Sequence, residues 1–89
     1  MDCDFELSED FALKLDQQDT LSDYRERFHI PDGTIYLDGN SLGLLSKDAE
    51  ESIKRVLDEW KELGIRGWLE GEQPWFYFAE ELGRRCADL

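Results

Sequence analysis

The sequence predicts a mostly α-helical fold with one short β-strand, and three observations carry that expectation. Apolar residues recur at helical spacing in two long stretches: Ala49, Ile53, Val56, Leu57, Trp60 and Leu63, then Trp75, Phe78, Ala79, Leu82, Cys86 and Leu89. Residues that cap helices precede several of the apolar stripes. Only Thr34-Ile35-Tyr36-Leu37 has the β-branched and aromatic character of a strand. A chain of 89 residues holds one compact domain at most.

Taken in order, Ser8 is placed to cap a first helix through Phe11, Leu13 and Leu15, with Asp10 near its positive end. Thr20 is placed to cap a second helix ending near Phe28, with Asp23 as the partner of an approximate capping box. Leu21, Tyr24 and Phe28 would share one face of it. Pro31 stops that helix, and Asp32-Gly33 reads as a turn. The strand at 34–37 follows, and a lone strand cannot satisfy its own backbone groups. The third helix is capped by Ser46, carries Asp48, Glu50 and Glu51 in its first turns, and stops at Gly64. Residues 65–73 read as a loop with glycines at 67 and 71. A last helix begins at Pro74 and its apolar stripe reaches Leu89 without a C-cap glycine. The lone strand and the open-ended helix both suggest a piece of a larger protein.

Composition excludes several functions. With 22 acidic and 10 basic residues the formal charge is -12. Such a chain repels nucleic acid phosphates and anionic lipid, and no basic face compensates. No apolar run approaches a transmembrane helix or a signal-peptide core. The reading is cytoplasmic, with no nucleic acid and no membrane as partner. His29 is the only histidine, and Cys3 and Cys86 fit no metal spacing and no CxxC motif, so no metal site is expected. The two cysteines read as ordinary thiols of a reducing compartment. Trp60, Trp75, Phe78 and Cys86 read as packing residues, His29 as packed or on the surface, and Lys14, Lys47, Lys54 and Lys61 as exposed.

No catalytic set is present in the segment. The informative stretch is YLDGNSLGL, residues 36–44. Gly39 and Gly43 are free to adopt positive φ, while Asn40 and Ser41 offer a carboxamide, a hydroxyl and backbone N–H groups. The N-terminal end of the third helix would favour an anionic ligand there. The same residues also suit a tight strand-to-helix connection with no ligand.

The strings FHIP at 28–31 and IYLDGNSLGL at 35–44 closely resemble the N-terminal region of kynureninases. The resemblance runs on through Glu59-Trp60, LGIRGW at 63–68, Pro74-Trp75 and AEELG at 79–83, and covers roughly residues 12–89. The IRGW segment is similar to the bacterial type. The resemblance implies the N-terminal arm and the start of the small domain of an α/β pyridoxal-phosphate-dependent transferase of fold type I. No complete domain boundary falls within residues 1–89. It implies a kynurenine-pathway hydrolase of tryptophan catabolism and NAD biosynthesis, cytoplasmic and homodimeric, whose site lies at the subunit interface. That enzyme cleaves L-kynurenine or 3-hydroxykynurenine to an anthranilate and L-alanine. The partners implied are the rest of the enzyme, a second subunit and the small-molecule substrate. By position, Asn40, Ser41 and Leu42 match a substrate-lining turn, Gly39 and Gly43 its backbone shape, and Trp68 an aromatic residue beside the substrate's aniline ring. The family's Schiff-base lysine and most cofactor ligands have no counterpart among these residues, so the segment alone is expected to be inactive. A different class of reading is a small acidic helical module that binds a partner helix. A third is an α-rich piece folding alone with its strand unpaired.

Overall fold

The computed structural model describes residues 4–89. Three α-helices form: α1 (Glu9–Gln18), α2 (Lys47–Leu63) and α3 (Phe78–Cys86). Three 3₁₀ segments, Ser22–Arg27, Gly64–Trp68 and Trp75–Tyr77, join or precede them. The chain divides into two packing units, one ending at Lys47 and the other spanning Asp48–Leu89.

In the first unit, α1 begins as its sequence requires. The Ser8 hydroxyl accepts from the Phe11 N–H at 3.2 Å, and Glu9 and Asp10 sit in the first turn. Phe5 packs edge-to-face on Phe11, with centroids 5.7 Å apart. The expected second helix is 3₁₀ and starts at Ser22, without a side-chain cap. The Asp19 carboxylate takes the Leu21 N–H at 2.8 Å, so an Asx-type turn replaces the Thr20–Asp23 capping box. Leu21 and Tyr24 remain exposed, and a helical face with nothing to pack on gains little from α-helical geometry. The turn at Asp32-Gly33 forms as expected, with Gly33 at φ +64° and the Thr34 N–H donating to the Pro31 carbonyl.

The expected strand at 34–37 does not form. No strand or sheet exists among the described residues, and the one β feature is an isolated antiparallel bridge between Phe28 and Ser46. Ile35 and Leu37 are each 88% exposed. Without a neighbouring strand the ladder has no acceptor, so β propensity alone leaves an extended segment.

In the second unit, α2 ends where Gly64 takes up φ +57°, the left-handed conformation that closes a helix. Residues 65–68, expected as loop, belong to a 3₁₀ turn that starts at Gly64. Pro74 precedes the 3₁₀ turn Trp75–Tyr77, and α3 starts only at Phe78. That helix ends at Cys86 with Ala87 as C-cap, short of the expected last residue. A connector holds to α2 through polar contacts. Arg55 donates to the Gln73 carboxamide at 2.9 Å and faces Glu72 at 3.8 Å, and the Glu72 N–H reaches Glu59 at 3.3 Å.

No hydrophobic side chain is buried among the described residues. Trp60, expected as core or interface, is 64% exposed, and Cys86 is a free, exposed thiol. Cys3 lies outside the described residues. No helix among them is long and apolar enough to cross a membrane.

Two outcomes follow from these local devices. Ser8→Ala removes the α1 cap and is expected to cost that helix about 1 kcal/mol, read as lost far-ultraviolet ellipticity; unchanged ellipticity would mean that the cap contributes nothing. In α3, hydrogen bonds from Arg84 and then Arg85 hold the Glu81 carboxyl below the usual carboxylate range. A lowered folded value means that the stabilisation is present above the unfolded value and lost as pH falls through the folded one. The ellipticity of α3 should therefore drop on acidification, and Glu81→Gln should abolish that step.

Candidate functional site

The YLDGNSLGL stretch folds as one compact turn in the first unit. The Asp38 carbonyl accepts from both the Ser41 and the Leu42 N–H groups, each at 3.1 Å. The Tyr36 hydroxyl donates to the Leu42 carbonyl. Of the N–H groups expected to face a ligand, that of Ser41 is therefore engaged within the turn, as is its neighbour on Leu42. Gly39 and Gly43 do not use positive φ, and a Cβ at either would meet nothing within 4 Å. The turn is shaped by these three hydrogen bonds and not by left-handed glycines. What it presents outward are the exposed side chains of Asn40, Ser41 and Leu42, the last 73% exposed. Carboxamide and hydroxyl can both donate and accept, so the turn can take a polar or anionic group, with an apolar contact from Leu42.

Trp68 belongs to the second unit, at the end of the 3₁₀ segment Gly64–Trp68. Its indole is 49% exposed. Trp75 stands edge-to-face to it at 6.3 Å and 71°, and Phe76 at 6.2 Å and 73°. Phe76 in turn packs edge-on against Tyr77 at 4.8 Å. With Ile65, Arg66 and Leu69, the rings of Trp68, Phe76 and Tyr77 line a shallow apolar concavity. Arg66 pairs with Glu70 at 3.5 Å at its border. A flat aromatic molecule is the ligand such a surface suits, because offset and edge-to-face ring contacts add to simple area burial.

Sequence reasoning treated Gly67 as a loop glycine and Trp75 as packing, and missed that the two make one contact. Gly67 is the single buried residue among those described. A Cβ there would lie 2.4 to 2.7 Å from three atoms of the Trp75 six-membered ring. The signal lay in the spacing: two tryptophans seven residues apart, the first preceded directly by a glycine.

The described residues do not fit a pyridoxal phosphate site. Lys14, Lys47, Lys54 and Lys61 are all exposed, and Lys54 is paired with Glu50 at 3.1 Å. None sits in an enclosed cavity where an amine would meet a carbonyl group out of water. Among the described residues no cluster of His, Cys, Asp or Glu could hold a metal ion.

No family model matches the chain. Individual relatives do. The kynureninase of Bacillus mycoides (strain KBAB4) is 54% identical over 85 residues, which is 96% of this chain and 20% of that protein. That of Shouchella clausii (strain KSM-K16) is 51% identical over 82 residues, or 92% of this chain and 19% of the relative. That of Geobacillus thermodenitrificans (strain NG80-2) is 51% identical over 80 residues. The chain is homologous to kynureninases over nearly all its length and spans about a fifth of the length of the relatives it matches.

The Gly67–Trp75 contact makes a sharp prediction. Gly67→Ala forces the Trp75 ring away and is expected to destabilise the second unit by roughly 1–3 kcal/mol, with loss of the near-ultraviolet tryptophan signal. An unaltered near-ultraviolet spectrum would show that the ring does not rest on Gly67.

Proposed function

We propose that this chain, similar to kynureninases over 96% of its length, is the N-terminal part of a kynureninase: its arm and the start of its small domain. The whole enzyme hydrolyses the Cβ–Cγ bond of L-kynurenine or 3-hydroxykynurenine to an anthranilate and L-alanine. Its cofactor, pyridoxal phosphate, supplies the electron sink for a substrate carbanion. The cofactor's lysine and most of its ligands are assigned to other parts of the protein, and this segment to substrate contacts with no catalytic group. The homodimeric state, the cytoplasmic setting and the α/β fold type I of the whole protein belong to the same proposal.

One observation carries this reading: identity of 54% that extends through 85 of 89 residues. A helical interaction module is not favoured, since it has no use for similarity that runs through turn and loop as well as helix. The exposed surface supports the same reading. The apolar faces of Ile53, Val56, Leu57 and Trp60 on α2 and of Leu82 on α3 are exposed.

In this assignment Asn40 and Ser41 hold polar groups of the substrate, Leu42 lines the pocket, and Trp68 stacks with the aniline ring. Gly39 and Gly43 belong to the backbone of this turn, whose bend is set by hydrogen bonds. The geometry of the turn separates the contribution of Ser41 to binding from its contribution to folding, because the turn is held by the Asp38 carbonyl and the Tyr36 hydroxyl and not by the serine hydroxyl.

Ser41→Ala in the full-length enzyme is therefore expected to leave Tm unchanged and to raise KM for kynurenine about two- to tenfold, the worth of one hydrogen bond. A lowered Tm with unchanged KM would make the residue structural. The isolated 89-residue chain, mixed with pyridoxal phosphate and then kynurenine, should show neither a cofactor absorbance band nor anthranilate fluorescence. Turnover by the chain alone would overturn the assignment of the cofactor site to other parts of the protein.

A further inference from the structure

We propose that Trp75 is a positioning residue for Trp68, holding that indole in one orientation through a clamp built on Gly67; its functional meaning rests on the reading of Trp68 as the ring that meets the substrate. Trp68 is half exposed at the end of a short 3₁₀ segment. An indole so placed and left alone would move among rotamers. Two rings prevent this. Trp75 and Phe76 meet Trp68 at nearly the same centroid distance, 6.3 and 6.2 Å, and at nearly the same steep angle, 71° and 73°. A ring met edge-to-face by two neighbours loses rotational freedom, while its remaining surface stays open.

Trp75 is itself held. The far edge of its six-membered ring lies so close over Gly67 that a Cβ there would come within 2.4 Å. Its indole Nε1 is buried and meets no hydrogen-bond partner among the described residues. A buried tryptophan ordinarily finds a partner for that N–H, and leaving it unmade is costly. Ring packing therefore decides where Trp75 sits. Gly67 precedes Trp68 directly, so the ring that covers residue 67 also fixes the backbone from which the Trp68 side chain departs. Trp75 thus acts on the substrate through Trp68.

The test is a double-mutant cycle in the full-length enzyme. Trp75→Leu is expected to raise KM for kynurenine about three- to tenfold with kcat little changed, the scale of one edge-to-face ring contact. In a Trp68→Ala background the same substitution should raise KM no further, because the residue it positions is gone. An equal loss in both backgrounds would make Trp75 a plain packing residue and overturn the proposal. A second readout judges the clamp without reference to substrate. The near-ultraviolet circular dichroism of the coupled indoles should disappear alike in Trp75→Leu and in Trp68→Leu. If Trp68→Ala leaves KM unchanged, the substrate reading of Trp68 fails, and the spectra still decide the clamp: a Trp75→Leu spectrum that retains the Trp68 signal overturns it. Should the leucine variant fail to fold, Trp75→Phe keeps a ring beside Trp68 while shortening its reach over Gly67, and an intermediate rise in KM is expected. No rise at all with Trp75→Phe, together with an unchanged Trp68 signal, would overturn the proposal.

Discussion

The contact between the Gly67 backbone and the Trp75 ring is what the second unit is organised around. It is the one place among the described residues where the chain closes tightly enough to bury a residue. The consequences run in both directions along the sequence. Upstream, the left-handed Gly64 ends α2 and turns the chain so that residue 67 can lie beneath the ring. Downstream, Pro74 and the 3₁₀ turn Trp75–Tyr77 deliver that ring and lead into α3. Arg55, Glu59, Glu72 and Gln73 tie the connector to α2. These polar contacts are partly exposed and individually weak, so the aromatic contact is the one that a side chain of any size at position 67 would destroy.

The first unit is built on different physics. Its candidate turn has no ring beneath it and no buried residue. Two N–H groups converge on the Asp38 carbonyl, and the Tyr36 hydroxyl closes the turn on the Leu42 carbonyl. Short-range hydrogen bonds of this kind need no core, which is how an exposed segment keeps a defined shape. The arrangement leaves the side chains of Asn40 and Ser41 exposed at the turn.

Neither unit buries a hydrophobic side chain among the described residues. The apolar stripes of α2 and α3 are spaced as a core-facing helix would space them, yet they face no core within this chain. Relatives about five times as long show how much protein accompanies such a segment elsewhere. The amphipathic pattern states that a face is meant to be covered, and leaves open by what.

The sequence by itself determined α1, α2 and most of α3, the Ser8 cap, the turn at Asp32-Gly33, the stop at Gly64 and the resemblance that points to kynureninases. Each of these depends on residues within a few positions of one another, or on motif identity. The strand at 34–37 failed because pairing is not local: β-branched residues make a strand only where another strand supplies donors and acceptors. The helix capped by Thr20 gave way to an Asp19 turn, since a local side-chain bond outweighed a helix without a packing face. Gly39 and Gly43 keep ordinary φ for a related reason, as hydrogen bonds from other residues already bend the chain there. Only the tertiary structure decided that Trp75 rests on Gly67 and brackets Trp68 with Phe76. That decision concerns the distance between rings seven residues apart, and ring distance follows from how the connector folds back, which periodicity does not encode.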